Sequence, residues 1–124
     1  MSSFEQKVFK DVFDSCMMEV LKVNKANGWF TENRSFGEDV ALLHSEVSEM
    51  LEAYRVWGTE DPTPPLIDSP SAAIKPEGIG SEMADVFIRL MDTCYRYNID
   101  LSYEFTRKLE YNKTRGYRHG SKKL

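Results

Sequence analysis

The chain has 124 residues, 41% of them hydrophobic and 29% charged, with a formal net charge of −4. That length fits a single domain, residues 1 to 124, and the composition excludes a generically disordered chain. No apolar run approaches the roughly 18 residues that a bilayer span needs, and the opening MSSFEQKVFKD alternates charge with apolar residues, unlike an export signal. A cytoplasmic location without membrane contact is therefore expected.

Apolar residues recur at steps of three and four, and no run alternates as a strand would, so an all-α fold of four helices is predicted. The first helix runs from about Phe4 to Asn24, with Phe4, Val8, Val12, Phe13, Cys16, Met17, Val20 and Leu21 on its stripe. Ser2 and Glu5 have the spacing of a capping box, and Gly28 suits the stop. Cys16 and Cys94 lie far apart and outside any CxxC pattern, which speaks against a disulfide scaffold or zinc ribbon and for small core residues. A second helix follows Ser35 and runs to about Trp57, its stripe formed by Phe36, Val40, Leu43, Val47, Met50, Leu51 and Tyr54, and Gly58 closes it.

All five prolines fall between Pro62 and Pro76. Residues 59 to 80 are thus expected to form a long Pro-rich loop, of the kind used as lids or binding loops. Ser81 is placed as the cap of a third helix that turns Met83, Val86, Phe87, Leu90, Cys94 and Tyr97 inward. A turn at Asn98-Ile99-Asp100 leads to a fourth helix from about Leu101 to Thr114, with Leu101, Phe105 and Leu109 on its apolar line. Residues 107 to 124 hold seven Lys or Arg against one acid, and residues 116 to 124 read as a basic arm beyond the helices. Such an arm can meet nucleic acid, grip the phosphates of a small ligand, or stay solvated.

At about 100° per residue, Glu46 and Glu49 sit about 60° apart on the second helix, beside the apolar stripe. Glu82 and Asp85 repeat the arrangement on the third, and Arg89 and Asp92 extend that line, as an i to i+3 pair expected to support the site by a salt bridge. Acids at this spacing commonly form a solvated face. Two such pairs bordering apolar stripes on two helices point instead to four carboxylates meeting, a cluster that repels itself unless a cation or protons neutralise it. With no His or Cys among the donors, the ion is expected to be Mg²⁺, Mn²⁺ or Ca²⁺ rather than zinc or a redox metal. On the fourth helix Lys108 and Asn112 share the side of Phe105 and are expected to point inward. Arg115 follows, so that a cation, an amide and a guanidinium could converge on a polyanion such as a phosphate chain. His44 falls away from the acidic direction.

The stretches LLHSEVSEMLEAYR, KPEG, GSEMADVFIRLMD and KLEYNKTRGYRHGSKK together resemble the MazG-like group of all-α nucleoside triphosphate pyrophosphohydrolases, over a region from about Trp29 to the C-terminus. One departure is the 32 residues between Glu49 and Glu82, an excess that lies in the Pro-rich loop. The resemblance implies a four-helix, bundle-like domain that hydrolyses nucleoside triphosphates, deoxyribonucleotides or non-canonical ones, to the monophosphate and pyrophosphate with Mg²⁺. Carried over by position, Glu46, Glu49, Glu82 and Asp85 are the metal ligands, and Lys108, Asn112 and Arg115 contact the phosphates. Glu49, with Glu46, is the candidate for handling the attacking water, and Trp29 for stacking on a base. His119 is placed near a terminal phosphate. The family implies a homodimer or homotetramer, for which Leu42 and Ile88 offer contact residues, and leaves nucleic acid an unexpected partner. A helical nucleotide-sensing or nucleic-acid-interacting module without turnover is the alternative.

Overall fold

The computed structural model describes residues 1–29, 33–65 and 74–116, and within them there are four helices and no strand. Helix α1 spans Ser3–Ala26, α2 Phe36–Trp57, α3 Ile79–Arg96 and α4 Leu101–Thr114. The local chemistry at the first helix start is the expected one. Ser2 accepts from the Glu5 amide while the Glu5 side chain accepts from the Ser2 amide, so both orphan donors are satisfied. Ser35 caps α2 through the Glu38 amide, and Asp100 caps α4 through the Tyr103 amide.

The start of α3 differs. Ser81 is not its cap: the helix begins two residues earlier, Gly78 occupies the cap position without a side-chain bond, and the Ser81 hydroxyl donates to the Pro76 carbonyl. Gly78 has φ +101°, a conformation open to glycine, and a Cβ there would meet Pro62 Cδ at 2.9 Å. The neck of the connection is closed nearby, where the Glu77 amide donates to Thr63 Oγ1 at 2.8 Å. The remainder of the Pro-rich stretch, 66–73, and the arm 117–124 with His119 lie outside the described residues.

Cross-helix contacts give the topology. Phe13 meets Phe87 edge-on at 6.2 Å and Asn24 bonds Asp92, so α1 and α3 run parallel. Arg89 reaches Glu46 and Tyr97 reaches Asp39, so α2 and α3 run antiparallel. Phe9 stacks on Phe105 at 5.3 Å and Lys10 pairs with Asp100, so α4 runs back along α1. The close packings therefore form a row, α2 to α3 to α1 to α4.

Among the described residues, Phe13, Leu21, Met91 and Cys94 are the buried apolar ones, whereas Phe4, Val8, Val12, Met83, Phe87 and Tyr97, expected inside, are exposed. Cys16 is exposed as well, and only Cys94 is the core thiol anticipated for both. The wheel explains part of this. On α2, Val40, Val47, Leu51 and Tyr54 fall within about 60° of one another, roughly 110° away from the arc of Asp39, Glu46 and Ala53 that meets α3. The most apolar stripe of α2 thus faces outward, and its carboxylate-bearing side faces α3.

Candidate functional site

The antiparallel pairing of α2 and α3 brings the two acidic pairs to the same level. One carboxylate oxygen each from Glu46, Glu49 and Glu82 lie within 4.8 Å of one another. Asp85, one turn along α3 from Glu82, lines the adjoining cavity with Glu46 and Glu49 and adds to the field there. The Glu49 carboxyl is held above its ordinary range, first by a hydrogen bond with Glu46, then by the Glu46 charge, with desolvation and the charges of Glu82 and Asp85 adding to the effect. Arg89 Nε donates to Glu46 Oε1 at 3.0 Å, which offsets one negative charge of the group.

Glu82 Oε2 is buried and has no hydrogen-bond partner. A buried carboxylate oxygen without a donor is costly, and oxygens converging from three side chains are the donor set of a hard divalent cation. The residues present therefore fit Mg²⁺ or Mn²⁺, with Glu46, Glu49 and Glu82 as the nearest ligands and Asp85 beside them.

A cavity of about 190 Å³ opens from these carboxylates. Trp29 lines it and remains half exposed, and Ile88, expected outside the main stripe, supplies apolar wall. Further along α3 it is bounded by Asn24, Arg34 and Asp92. These three belong to a polar network that ties α1, α2 and α3 together. Asp92 accepts from Asn24 Nδ2 at 3.2 Å, Arg34 Nη2 at 3.3 Å and Arg96 Nε at 2.9 Å. Asp39 in turn accepts from Arg34 Nε at 3.0 Å and from the Tyr97 hydroxyl at 3.2 Å. The expected pair of Arg89 with Asp92 does not form, because α2 lies close enough for Arg89 to reach Glu46 instead.

Lys108, Asn112 and Arg115 are all exposed rather than turned inward. Glu110 sits 3.5 Å from the Met1 amine, so the C-terminal part of α4 lies beside the start of α1. Lys108 Nζ and the Arg115 guanidinium each sit 5.8 Å from the Tyr111 ring centre. Neither they nor Asn112 line the cavity beside the carboxylates. His44 is exposed, away from the acidic group, and Leu42 is half-buried. A larger cavity of about 770 Å³ lies at the neck of the loop, against the first turn of α3, with Glu60, Asp61 and Glu77 among its lining residues.

Asn24, Arg34 and Asp39 were missed by sequence reasoning. One signal existed: Asp39 stands seven residues before Glu46, as Asp92 stands seven after Asp85, so both acidic faces continue by two turns. Comparison of the chain with protein-family models, with curated proteins and with solved structures gave no match. The site stands on its own geometry.

Proposed function

We propose that this chain is a MazG-like nucleoside triphosphate pyrophosphohydrolase that cleaves between the α and β phosphates, giving a nucleoside monophosphate and pyrophosphate. The observation that carries the reading is the meeting of Glu46, Glu49 and Glu82 within 4.8 Å around a buried carboxylate oxygen that has no donor. A bound Mg²⁺ supplies charge neutralisation and a hold on phosphate oxygens. The chain's own residues do the rest. Glu49, beside Glu46 at the cavity, accepts the proton of the attacking water, and Glu46, held by Arg89, orients Glu49. Trp29 offers an aromatic face to the base, beside the carboxylates.

The phosphate-contacting role proposed for Lys108, Asn112 and Arg115 draws on the family resemblance, and the three cluster around the exposed end of α4. The outward-facing apolar stripe of α2 supports assembly into a homodimer or homotetramer.

The test is release of pyrophosphate from a panel of ribo- and deoxyribonucleoside triphosphates, with Mg²⁺ and with chelator. Chelator-sensitive release, lost in Glu49→Gln and Asp85→Asn at unchanged circular dichroism, is the expected result. Equal turnover in both variants would overturn the site assignment. No release by a folded protein that still binds Mg²⁺ would favour the sensing module.

A further inference from the structure

The far end of the cavity has a chemistry of its own. Asp85 and Asp92 are seven residues apart on α3, so Asn24, bonded to Asp92, lies about 10 Å along the helix from Asp85, the carboxylate beside the group. That separation is comparable with the span of a nucleoside. The cavity volume of about 190 Å³ is well below the roughly 300–1,000 Å³ of a pocket that swallows a drug-sized ligand. It has room for one planar heterocycle, leaving the phosphates at the carboxylates.

Asn24 is 5% exposed, and its amide orientation follows from its partner. A carboxylate only accepts, so the Asn24 group facing Asp92 has to be the NH₂. The side-chain carbonyl is then turned from Asp92, and no hydrogen bond to it forms among the described residues. Asn24 lines the cavity, so a base seated there can reach that carbonyl. Arg34 and Arg96 are engaged with Asp39 and Asp92, which holds Asp92, and through it Asn24, in place.

We propose that Asn24 is a specificity-determining residue of the nucleotide site, its Oδ1 accepting a hydrogen bond from the exocyclic amino group of a cytosine- or adenine-type base lying between Trp29 and Ile88. This rests on the reading of the carboxylates as a nucleotide site. An exocyclic amino group projects beyond the ring and reaches a recessed acceptor. Uracil and thymine instead place carbonyl oxygens on both sides of the ring N–H, and those oxygens would face Asn24 Oδ1 and the Asp92 carboxylate, acceptor against acceptor.

The experiment has two arms on the intact protein. In the first, kcat/KM with Mg²⁺ is measured for dCTP, dATP, dUTP and dTTP in the wild type and in Asn24→Leu, which keeps the branched four-atom side chain and removes its polar atoms. The expected result is a wild-type preference of at least about tenfold for the amino-bearing bases, collapsing to near unity in the variant. In the second, quenching of Trp29 fluorescence in a Trp57→Phe background is titrated with the four deoxynucleoside monophosphates in chelator. Here dCMP and dAMP are expected to bind at least about tenfold more tightly than dUMP and dTMP. Turnover without base preference in the wild type, or a preference unchanged in Asn24→Leu, overturns the inference and leaves the proposed reaction standing. Base-selective quenching without pyrophosphate release upholds the inference and overturns the reaction. The wild-type panel decides the matter even if Asn24→Leu does not fold.

Discussion

Replacing Asp92 by asparagine keeps the side chain's size and removes its charge, which isolates the worth of the polar network. Asp92 is 6% exposed and accepts from Asn24, Arg34 and Arg96. In Asp92→Asn the amide oxygen in the place of Oδ2 can still accept from both guanidiniums, now without the charge, while the NH₂ in the place of Oδ1 faces the Asn24 amide. Two charge-assisted hydrogen bonds are weakened or lost, each worth about 1.5–3 kcal/mol. Arg34 retains Asp39, and Arg96 retains the Trp29 carbonyl, so neither cation is stranded. The loss should therefore fall at about 3 kcal/mol, the lower end of what breaking a buried pair costs. With about 2.1 cal/mol/K per residue for the entropy of unfolding, the 124 residues give roughly 0.26 kcal/mol/K and a fall in Tm of about 11 °C. Thermal unfolding followed by circular dichroism at pH 7 is the assay. Glu52→Gln, which breaks an exposed i,i+3 pair with Arg55, is the control, expected within about 0.5 kcal/mol of wild type. A fall in Asp92→Asn no larger than the control's would refute the view that this network binds α1, α2 and α3 together.

Three further outcomes are expected. The Asp100 carboxylate is held below the usual aspartate range, chiefly by the Ser102 hydroxyl and the Tyr103 amide, so the stability it provides is present above the unfolded-state value and lost as pH falls through the folded one. Asp100→Ala should thus cost about 1 kcal/mol at pH 7, and denaturant titrations should show the difference vanishing well below pH ~3.9. Gly78→Ala should destabilise by more than about 1 kcal/mol, since it adds a Cβ at φ +101° against Pro62; a neutral melt would mean that the loop neck yields. Light scattering should return twice or four times the 14.3 kDa chain mass, and a single-chain mass at working concentration would count against assembly through the outward apolar stripe.

What could be read from the sequence was local. Capping at Ser2 and Ser35 depends on residues within three positions, and those helix starts follow directly from it. The meeting of Glu46, Glu49 and Glu82 needed one more step, the side-by-side packing of two helices, which their shared acid spacing implied. The core was less legible because an apolar stripe says that a helix buries something without saying against what. The stripe of α2 therefore pointed to an interior, whereas Val40, Val47, Leu51 and Tyr54 are exposed. Lys108 and Asn112 were misplaced for a related reason. The period set them beside Phe105, which is itself exposed, whereas the buried side of α4 is that of Ser102. Asn24 and Arg34 carry no periodic signal and reach the cavity through a fold that juxtaposes residues nearly 70 positions apart.

The neck of the connection between α2 and α3 has a consequence for how this chain can vary. Thr63 and Glu77 close the loop by hydrogen bonds to each other, and Gly78 brings the backbone against Pro62 one residue before α3 begins. Once its ends are tied, lengthening a loop is cheap, at about 0.6 kcal/mol for each doubling. Residues inserted between Pro65 and Ile74 enter beyond that knot, so they leave the register of α2 against α3 untouched. The stretch can therefore accept new length and new chemistry while Glu82, four residues into α3, keeps its place, much as a handle can be re-carved without regrinding the blade.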